Sequence, residues 1–302
     1  MSFSTPMFLE QHCHGAYGID FNSASCDEIN YLMSKLFQHG VWGIFPTLVT
    51  DSIENIKQQT EIIKQAAKSD LKNSTKILGI HLEGIFINPL KKGIHNQDWI
   101  LEPNVKNYKL IEDDFIKIVT MAPELDKGLI DYLKNKNIKI QAGHCVGGDL
   151  SKVDGATHIF NGMAGISHRA KSTALTTLID DSLFSEIICD FHHVNEDAVK
   201  LFFKSKPNNK VILISDSLPI TNSDLKSTIF AGSEIFYDGQ VATSTEGTIA
   251  GSTDLLDSIV NKLCERKLFK PEYVLNTYYY HNLQPQNEIL WNDNGTIAKI
   301  YC

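Results

Sequence analysis

A set of histidine and acidic side chains in this sequence stands where short apolar runs end. Runs rich in Ile, Val and Leu are typical of buried strands, so these side chains are predicted to lie at strand ends. Imidazole and carboxylate groups that converge from several strands suit a divalent transition metal. The pattern predicts a metal-dependent hydrolase. Its candidate residues are His12, His14, Glu83, His144, His158 and Asp216.

The first two candidates form the HxH pair of the segment HCHG. His12 and His14 are two residues apart, so both rings point to the same face of a strand. Alone, such a pair is more often structural or exposed than a metal site. The further candidates at other strand ends reverse that interpretation, because a buried carboxylate such as Glu83 is costly unless it binds a metal or is hydrogen-bonded.

Strand patterns alternate with helical patterns along the chain, which predicts an α/β fold. The predicted strands are 6–12, 41–49, 76–82, 115–121, 137–143, 156–160, 186–191 and 211–215. The predicted helices are 27–38, 52–68, 124–135 and 196–204, with Asp27 and Ser52 as N-caps of the first two. Eight strands with intervening helices favour a closed (β/α)₈ barrel of the TIM type, with its site at the C-terminal strand ends. The connection from 143 to 156 is short for a full helix.

We expect one barrel domain over residues 1–302 with two appended segments. The segment 217–250 is rich in Ser, Thr and Gly and is predicted to be a long loop or hairpin after the eighth strand. The segment 286–302 is predicted to be a terminal β-hairpin that turns at Asn294-Gly295.

The composition is that of a globular protein and excludes several classes of partner. A formal charge of -8 without a basic block argues against nucleic-acid binding. The sequence has no run of roughly 18 to 20 apolar residues, so no membrane partner is expected. Its 6 cysteines show no CxxC pairing and its first residues no signal peptide. We therefore expect a cytoplasmic protein with reduced thiols.

Several segments, in order from about residue 10 to about residue 260, resemble one enzyme family. They are HCHGAYGIDF, PTLVT, HLEGIFINPLKKGIHN, THIFNGMAGISHR, CDFHHV, LISDS and GTIAGS. The sequence is identified by them as similar to the N-acetylglucosamine-6-phosphate deacetylase family, part of the amidohydrolase superfamily of metal-dependent barrels. The resemblance implies hydrolysis of the acetamide of a phosphorylated amino sugar, which gives acetate and glucosamine 6-phosphate.

The resemblance also implies a role for each metal candidate. Glu83, His144 and His158 resemble the ligands of the principal ion, which we expect to be zinc. His12 and His14 match a pair that holds a second ion in some members of the family. Other members replace this pair and use one ion, so one ion and two ions both remain open.

The remaining site residues follow from the same resemblance. Asp216 matches the catalytic aspartate, and His95 matches a substrate-binding histidine that helps to polarise the acetamide carbonyl. Asn161 and Gly162 match a loop that lines the sugar site, where the glycine acts through its backbone.

Two further residues match contacts to the sugar phosphate. His193 matches a histidine that touches the phosphate, and Arg169 matches an arginine that reaches the neighbouring subunit's phosphate. The resemblance therefore implies a homodimer that binds a small phosphorylated amino sugar.

The sequence also departs from the family pattern. Ile85 replaces the proline usual after HLEG, and the segment 165–171 around the phosphate arginine is altered. The chain is predicted to be a barrel from which most of the family's accessory β-sandwich is missing. Two alternatives stay open: another carbon–nitrogen hydrolase on the same metal site, and a non-catalytic sugar-phosphate binder.

Overall fold

The computed structural model describes residues 2–147 and 149–301. The strands are β1 (Phe3–Thr5), β2 (Phe8–Cys13), β3 (Gly15–Ala16), β4 (Ile19–Asp20), β5 (Val41–Val49), β6 (Lys76–Ile77), β7 (Ile80–Glu83), β8 (Ile116–Met121), β9 (Lys139–Ala142), β10 (Gly155–Ala156), β11 (Phe184–Ile188), β12 (Val211–Ile214), β13 (Ser227–Phe230), β14 (Ser233–Tyr237), β15 (Ala242–Ser244), β16 (Glu288–Trp291) and β17 (Ile297–Tyr301). The helices are α1 (Cys26–Gln38), α2 (Ile53–Ala67), α3 (Val105–Tyr108), α4 (Leu129–Asn135), α5 (Thr173–Ile179), α6 (Glu196–Ser205), α7 (Leu256–Glu265) and α8 (Glu272–Tyr280).

The central sheet is a nearly closed barrel of parallel strands. Its strands pair in the order β2, β5, β7, β8, β9, β10, β11 and β12. The first and last strands meet at a parallel bridge between Cys13 and Ser217, where the Asp216 amide donates to the His12 carbonyl at 2.9 Å. The predicted (β/α)₈ barrel is therefore confirmed.

Apolar patterning explains how the barrel is enclosed. Every residue of β7 and β12 is buried, as expected for parallel strands covered on both faces. Helix α1 buries one face and exposes the other, and it begins at a capping box in which Ser25 and Glu28 cap each other's backbone amides. The predicted N-cap Asp27 is wrong, since it lies inside the first turn, whereas Ser52 does cap α2.

The connection between β9 and β10 departs from the regular repeat. Among its described residues it contains no helix, as its short length suggested. Strand β10 is also shorter than the predicted segment 156–160. The chain leaves the strand because His158 and Phe160 adopt positive φ angles of 27° and 78°.

Two antiparallel sheets of three strands each flank the barrel, and β3 pairs with β4 in a smaller one. Strands β13, β14 and β15 lie within 217–250, and Phe230 at the end of β13 packs edge-on against the His14 ring with centroids 5.0 Å apart. Strand β1 joins the β16–β17 hairpin, where buried Trp291 donates to the Thr5 hydroxyl at 2.9 Å. In the described part of the chain, no helix has both the length and the apolarity needed to cross a bilayer.

Candidate metal centre and active site

The carboxylate of Glu83 lies at the centre of a ring of imidazoles. Its Oε1 is 3.1 Å from Nε2 of His144 and 2.7 Å from Nε2 of His158. Its Oε2 is 3.3 Å from Nε2 of His12 and 3.1 Å from Nε2 of His14. The structure thus brings all five sequence-predicted metal candidates to one point.

Asp216 joins this cluster from the last barrel strand. Its Oδ1 lies 3.3 Å from Nε2 of His12 and 3.2 Å from Nε2 of His14. Each of these side chains is more than nine-tenths buried. Nitrogen and oxygen ligands packed this closely away from water can hold a divalent metal ion.

The strand ends aim these side chains through unusual backbone conformations. Glu83 is the last residue of β7. His144, His158 and Asp216 each lie two residues after the end of a strand, namely β9, β10 and β12. His144, His158 and Asp216 have φ angles of 48°, 27° and 51°. A left-handed conformation in a residue other than glycine costs on the order of 1 to 3 kcal/mol and is often found at functional sites.

Backbone carbonyls fix the orientation of two of the imidazoles. Nδ1 of His144 lies 2.8 Å from the Lys91 carbonyl, and Nδ1 of His14 lies 3.3 Å from the Thr47 carbonyl. A carbonyl only accepts, so each Nδ1 carries the proton. With that proton on Nδ1, each ring in its neutral form can offer the lone pair of Nε2 to a metal ion.

Glu186, on β11, fixes the orientation of the His12 imidazole. It was not predicted from the sequence as a site residue. Its Oε2 lies 3.0 Å from Nδ1 of His12, and its Oε1 accepts from Gln11 at 2.5 Å. Burial alone would raise the pKa of Glu186, but the adjacent His12 holds that pKa below its ordinary value. The signal for Glu186 was an acidic residue inside an otherwise apolar strand.

The cluster fits a divalent cation in two further respects. Nε2 of His12 and Nδ1 of His158 are buried and have no hydrogen-bond partner among the described residues. Burial alone would raise the pKa of Glu83, but the imidazoles, foremost His12, hold that pKa well below its ordinary value. An ionised carboxylate beside an unsatisfied imidazole nitrogen is the donor set of a metal site.

A cavity of about 340 Å³ opens above the cluster. Predicted substrate residues His95, Asn161, Gly162 and His193 line it together with metal candidates. Its apolar lining comes from Val49, Ile94, Phe160, Phe230 and Ile249. Arg169 is exposed and lies outside this cavity, so the single chain does not bring it into the site.

His193 presents an unpaired nitrogen in the region of this cavity. Its Nδ1 lies 2.7 Å from Oδ2 of Asp190, and its buried Nε2 has no partner among the described residues. Burial lowers the pKa of His193, but the hydrogen bond and charge of Asp190 outweigh burial and raise it above the ordinary value. Asp190 was also missed in the sequence, although it stands three residues before the histidine that it orients.

Gly162 shapes the side of the cavity next to His144. Its φ is 58°, and a Cβ at this position would lie 2.9 Å from the His144 Nδ1. The neighbouring Asn161 side chain is partly buried, and its amide lies 3.4 Å from the His158 carbonyl. Only a residue without a side chain fits at position 162 beside the imidazole.

His95 is connected to the cluster but is held differently from the other histidines. Its Nδ1 lies 2.7 Å from the Thr50 hydroxyl, and its Nε2 is 4.0 Å from Oε2 of Glu83. Burial, with the neighbouring His144, holds the pKa of His95 well below its ordinary value, so the ring is neutral near pH 7.

Comparison with known proteins finds clear relatives. No model of a known protein family matches the chain. N-acetylglucosamine-6-phosphate deacetylase of Bacillus subtilis (strain 168) is 33% identical over 263 residues, which are 82% of this chain and 66% of that protein. N-acetylgalactosamine-6-phosphate deacetylase of Escherichia coli O157:H7 is 26% identical over 272 residues, which are 86% of this chain and 72% of that protein. The chain thus spans about two thirds of the Bacillus relative's length.

Solved structures share the fold of the chain. N-acetylglucosamine-6-phosphate deacetylase from Thermotoga maritima superposes with a TM-score of 0.89 at 24% identity, covering 99% of this chain and 87% of that one. The enzyme of that name from Pasteurella multocida gives a TM-score of 0.88 at 20% identity, covering 99% and 85%. At these identities the likeness concerns the fold alone.

Proposed function

The chain belongs to the N-acetylglucosamine-6-phosphate deacetylase family of the amidohydrolase superfamily, and on this basis we propose that it deacetylates N-acetylglucosamine 6-phosphate. The products are acetate and glucosamine 6-phosphate. The observation that carries the proposal is the buried cluster around Glu83 and Asp216, which opens into a cavity lined by His193. The cluster suits amide hydrolysis, and the histidine suits an anionic group on the same ligand.

Glu83, His144 and His158 would hold the principal ion, with zinc as the proposed metal. Their Nε2 and carboxylate atoms meet within 3.1 Å. His12 and His14 would hold a second ion against the other carboxylate oxygen. When bound, a divalent ion lowers the pKa of water and polarises an amide carbonyl.

Asp216 is the proposed proton-transfer group. Its carboxylate borders both the histidine cluster and the cavity, so it can reach a water held between them. It accepts the proton of the attacking water and delivers it to the departing nitrogen, since an amine leaves readily only when protonated. His95, on the cavity wall, donates a hydrogen bond to the acetamide oxygen as negative charge develops there.

The sugar phosphate is proposed to bind at the His193 end of the cavity. The raised pKa of His193 supports a cationic ring that pairs with phosphate, and Asn161 and Gly162 would contact the sugar. Arg169 is proposed to serve the site of a second copy in a homodimer, which is consistent with its exposure in one chain. The free thiols Cys13, Cys145 and Cys189 support a cytoplasmic location.

An acetate-release assay tests the proposal. We expect turnover of N-acetylglucosamine 6-phosphate and a much lower kcat/KM for unphosphorylated N-acetylglucosamine. The 6-phosphate of N-acetylgalactosamine, in a parallel assay, measures the preference between epimers. Elemental analysis of the active protein should find at least one equivalent of a divalent metal. Equal turnover with and without phosphate would favour the other carbon–nitrogen hydrolase, and no turnover with metal bound would favour a sugar-phosphate binder.

A further inference from the structure

The hydrogen bond at Nδ1 distinguishes His95 from three of the metal candidates. The Nδ1 atoms of His12, His14 and His144 face oxygen atoms that can only accept a hydrogen bond, namely one carboxylate and two carbonyls. In each of the three rings the proton must therefore sit on Nδ1. His95 differs, because its Nδ1 faces the hydroxyl of Thr50, which can either donate or accept.

A second contact of the Thr50 hydroxyl decides whether it donates to His95 or accepts from it. The Ile85 amide donates to the same Oγ1 at 2.9 Å, so one lone pair of this oxygen is already used. Thr50 is 1% exposed, and across the described residues its hydroxyl has these two partners. If it also accepted from His95, its own buried proton would have no acceptor, which costs roughly 1 to 3 kcal/mol. The satisfied arrangement is donation from Thr50 to Nδ1 of His95.

The backbone around Gly84 holds the hydroxyl in this place. A Cβ at Gly84 would lie 2.0 Å from Oγ1 of Thr50, so only glycine lets the hydroxyl approach. The next residue, Ile85, has a φ of 48°, which a β-branched residue rarely adopts, and this conformation turns its amide towards Thr50. The chain thus maintains strained backbone next to Glu83 to complete this contact.

We propose that Thr50 is a positioning residue that holds His95 in the tautomer with its proton on Nε2, and thereby makes it a hydrogen-bond donor in the cavity. The three rings that carry a proton on Nδ1 can offer the lone pair of Nε2 to a metal ion. His95 presents an N–H group, so it is excluded from the metal-ligand set even though it lies beside Glu83 and His144. The inference rests on the proposed function in one respect: the group that receives this hydrogen bond is the acetamide oxygen.

Nitrogen NMR of the wild-type protein tests the tautomer directly. In protein labelled with ¹⁵N-histidine, long-range ¹H–¹⁵N correlations show which ring nitrogen carries the proton, and a His95→Asn sample identifies the His95 signals. At pH 7, without metal and with zinc, we expect an unprotonated Nδ1 and a protonated Nε2. A protonated Nδ1, or an Nε2 that loses its proton to zinc, would overturn the proposal.

Kinetics of two variants test the positioning role. Thr50→Val keeps the shape of the side chain but removes the hydroxyl, so kcat should fall about 10- to 100-fold while KM changes little. Thr50→Ser keeps the hydroxyl and should retain a kcat close to that of the wild type. Thr60→Val is the matched control, because Thr60 is a buried threonine whose hydroxyl has no partner among the described residues.

Each outcome has a defined meaning. A Thr50→Val enzyme with wild-type kcat would overturn the proposal, as would a Thr50→Ser enzyme as impaired as the valine variant. If Thr50→Val fails to fold, the wild-type spectrum and the serine variant decide. A protein with the expected His95 tautomer but no deacetylase activity would refute the proposed function alone, whereas an active enzyme with a protonated Nδ1 would refute this inference alone.

Discussion

The two carboxylates of the site are placed for different tasks. Both line the cavity, but Glu83 contacts four imidazoles through its two oxygens, whereas Asp216 contacts His12 and His14 through one oxygen. A carboxylate surrounded on both oxygens suits a ligand. A carboxylate that contacts imidazoles through only one oxygen can exchange protons with water and substrate through the other.

Replacement of Asp216 by asparagine tests this difference. Asp216→Asn preserves size but removes the basic oxygen, so kcat should fall by roughly 10² to 10⁴ while the metal content stays that of the wild type. Acetate release and elemental analysis measure the two quantities. Asp131→Asn, which alters only an exposed pair with Lys152, is the control and should leave both unchanged. Full turnover with metal bound would remove Asp216 from the mechanism.

The pH dependence of substrate binding should report on His193. Its pKa is raised by Asp190, so the ring is cationic at a pH below that raised value and loses its charge above it. KM for the phosphorylated substrate should therefore rise as the pH increases through this pKa, while KM for the unphosphorylated sugar should not. His193→Asn should flatten the profile, and an unchanged profile in that variant would exclude His193 as the phosphate contact.

At the scale of elements, β11 supports β2 through one buried residue. Glu186 accepts from both Gln11 and His12. A glutamine at 186 has one oxygen and one amide group, so a donor would face a donor on one side. Glu186→Gln should therefore release the His12 ring and weaken metal binding at the HxH pair about 10- to 100-fold.

Equilibrium dialysis followed by elemental analysis measures this effect without any assay of turnover. Glu112→Gln is a suitable control, because Glu112 pairs with Lys136 away from the barrel interior. Unaltered affinity and stoichiometry in Glu186→Gln would show that the orientation of His12 does not depend on β11.

The sequence was informative where periodicity and strand ends define the structure. Continuous apolar runs predicted the barrel, and residues such as Glu83 and His144 could be placed at its rim because parallel strands end at the same edge. Strand β10 was predicted to be longer than it is, because the run ATHIF is largely apolar. In the structure the chain leaves the strand at His158. Helices α7 and α8 were not predicted, nor was α5, whose threonine-rich sequence TALTTLI has a low helix propensity.

The partners behind the site could not be predicted in the same way. Glu186 and Thr50 act through contacts with residues that are distant in the chain, and Asp190 acts across a turn. Their residue types and positions do not by themselves identify these partners. The cap at Ser25 could have been found, since Ser25 and Glu28 have the spacing of a capping box. Tertiary contacts, rather than local patterns, therefore account for most of what was missed.

At the scale of the whole molecule, the position of Arg169 bears on assembly. The residue is exposed and outside the cavity, which supports the proposal that it reaches the phosphate in a second copy of the chain. Arg169→Ala should then raise KM for the phosphorylated substrate, with a loss on the order of 2 to 5 kcal/mol if the contact is buried in the dimer. KM for the unphosphorylated sugar should hardly change.

Mixed subunits provide the control for a shared site. Arg169→Ala and Asp216→Asn chains, each impaired alone, should regain activity when mixed, because one site of the heterodimer then has both residues. Light scattering of the wild type should show at least a dimer. A fully active monomer, or equal loss on both substrates, would contradict the shared site.

The left-handed backbone at His144 implies a trade-off between stability and function. Within a helix or strand, glycine in place of alanine lowers the stability of the folded protein by roughly 0.5 to 1 kcal/mol, because glycine loses more conformational freedom on folding. At a φ of 48° the order should be inverted, so that metal-free His144→Gly resists urea better than His144→Ala. Variants selected only for thermal stability would then tend to replace this histidine by glycine. If His144 has the proposed role in metal binding, its imidazole is retained at a position where it weakens the folded chain.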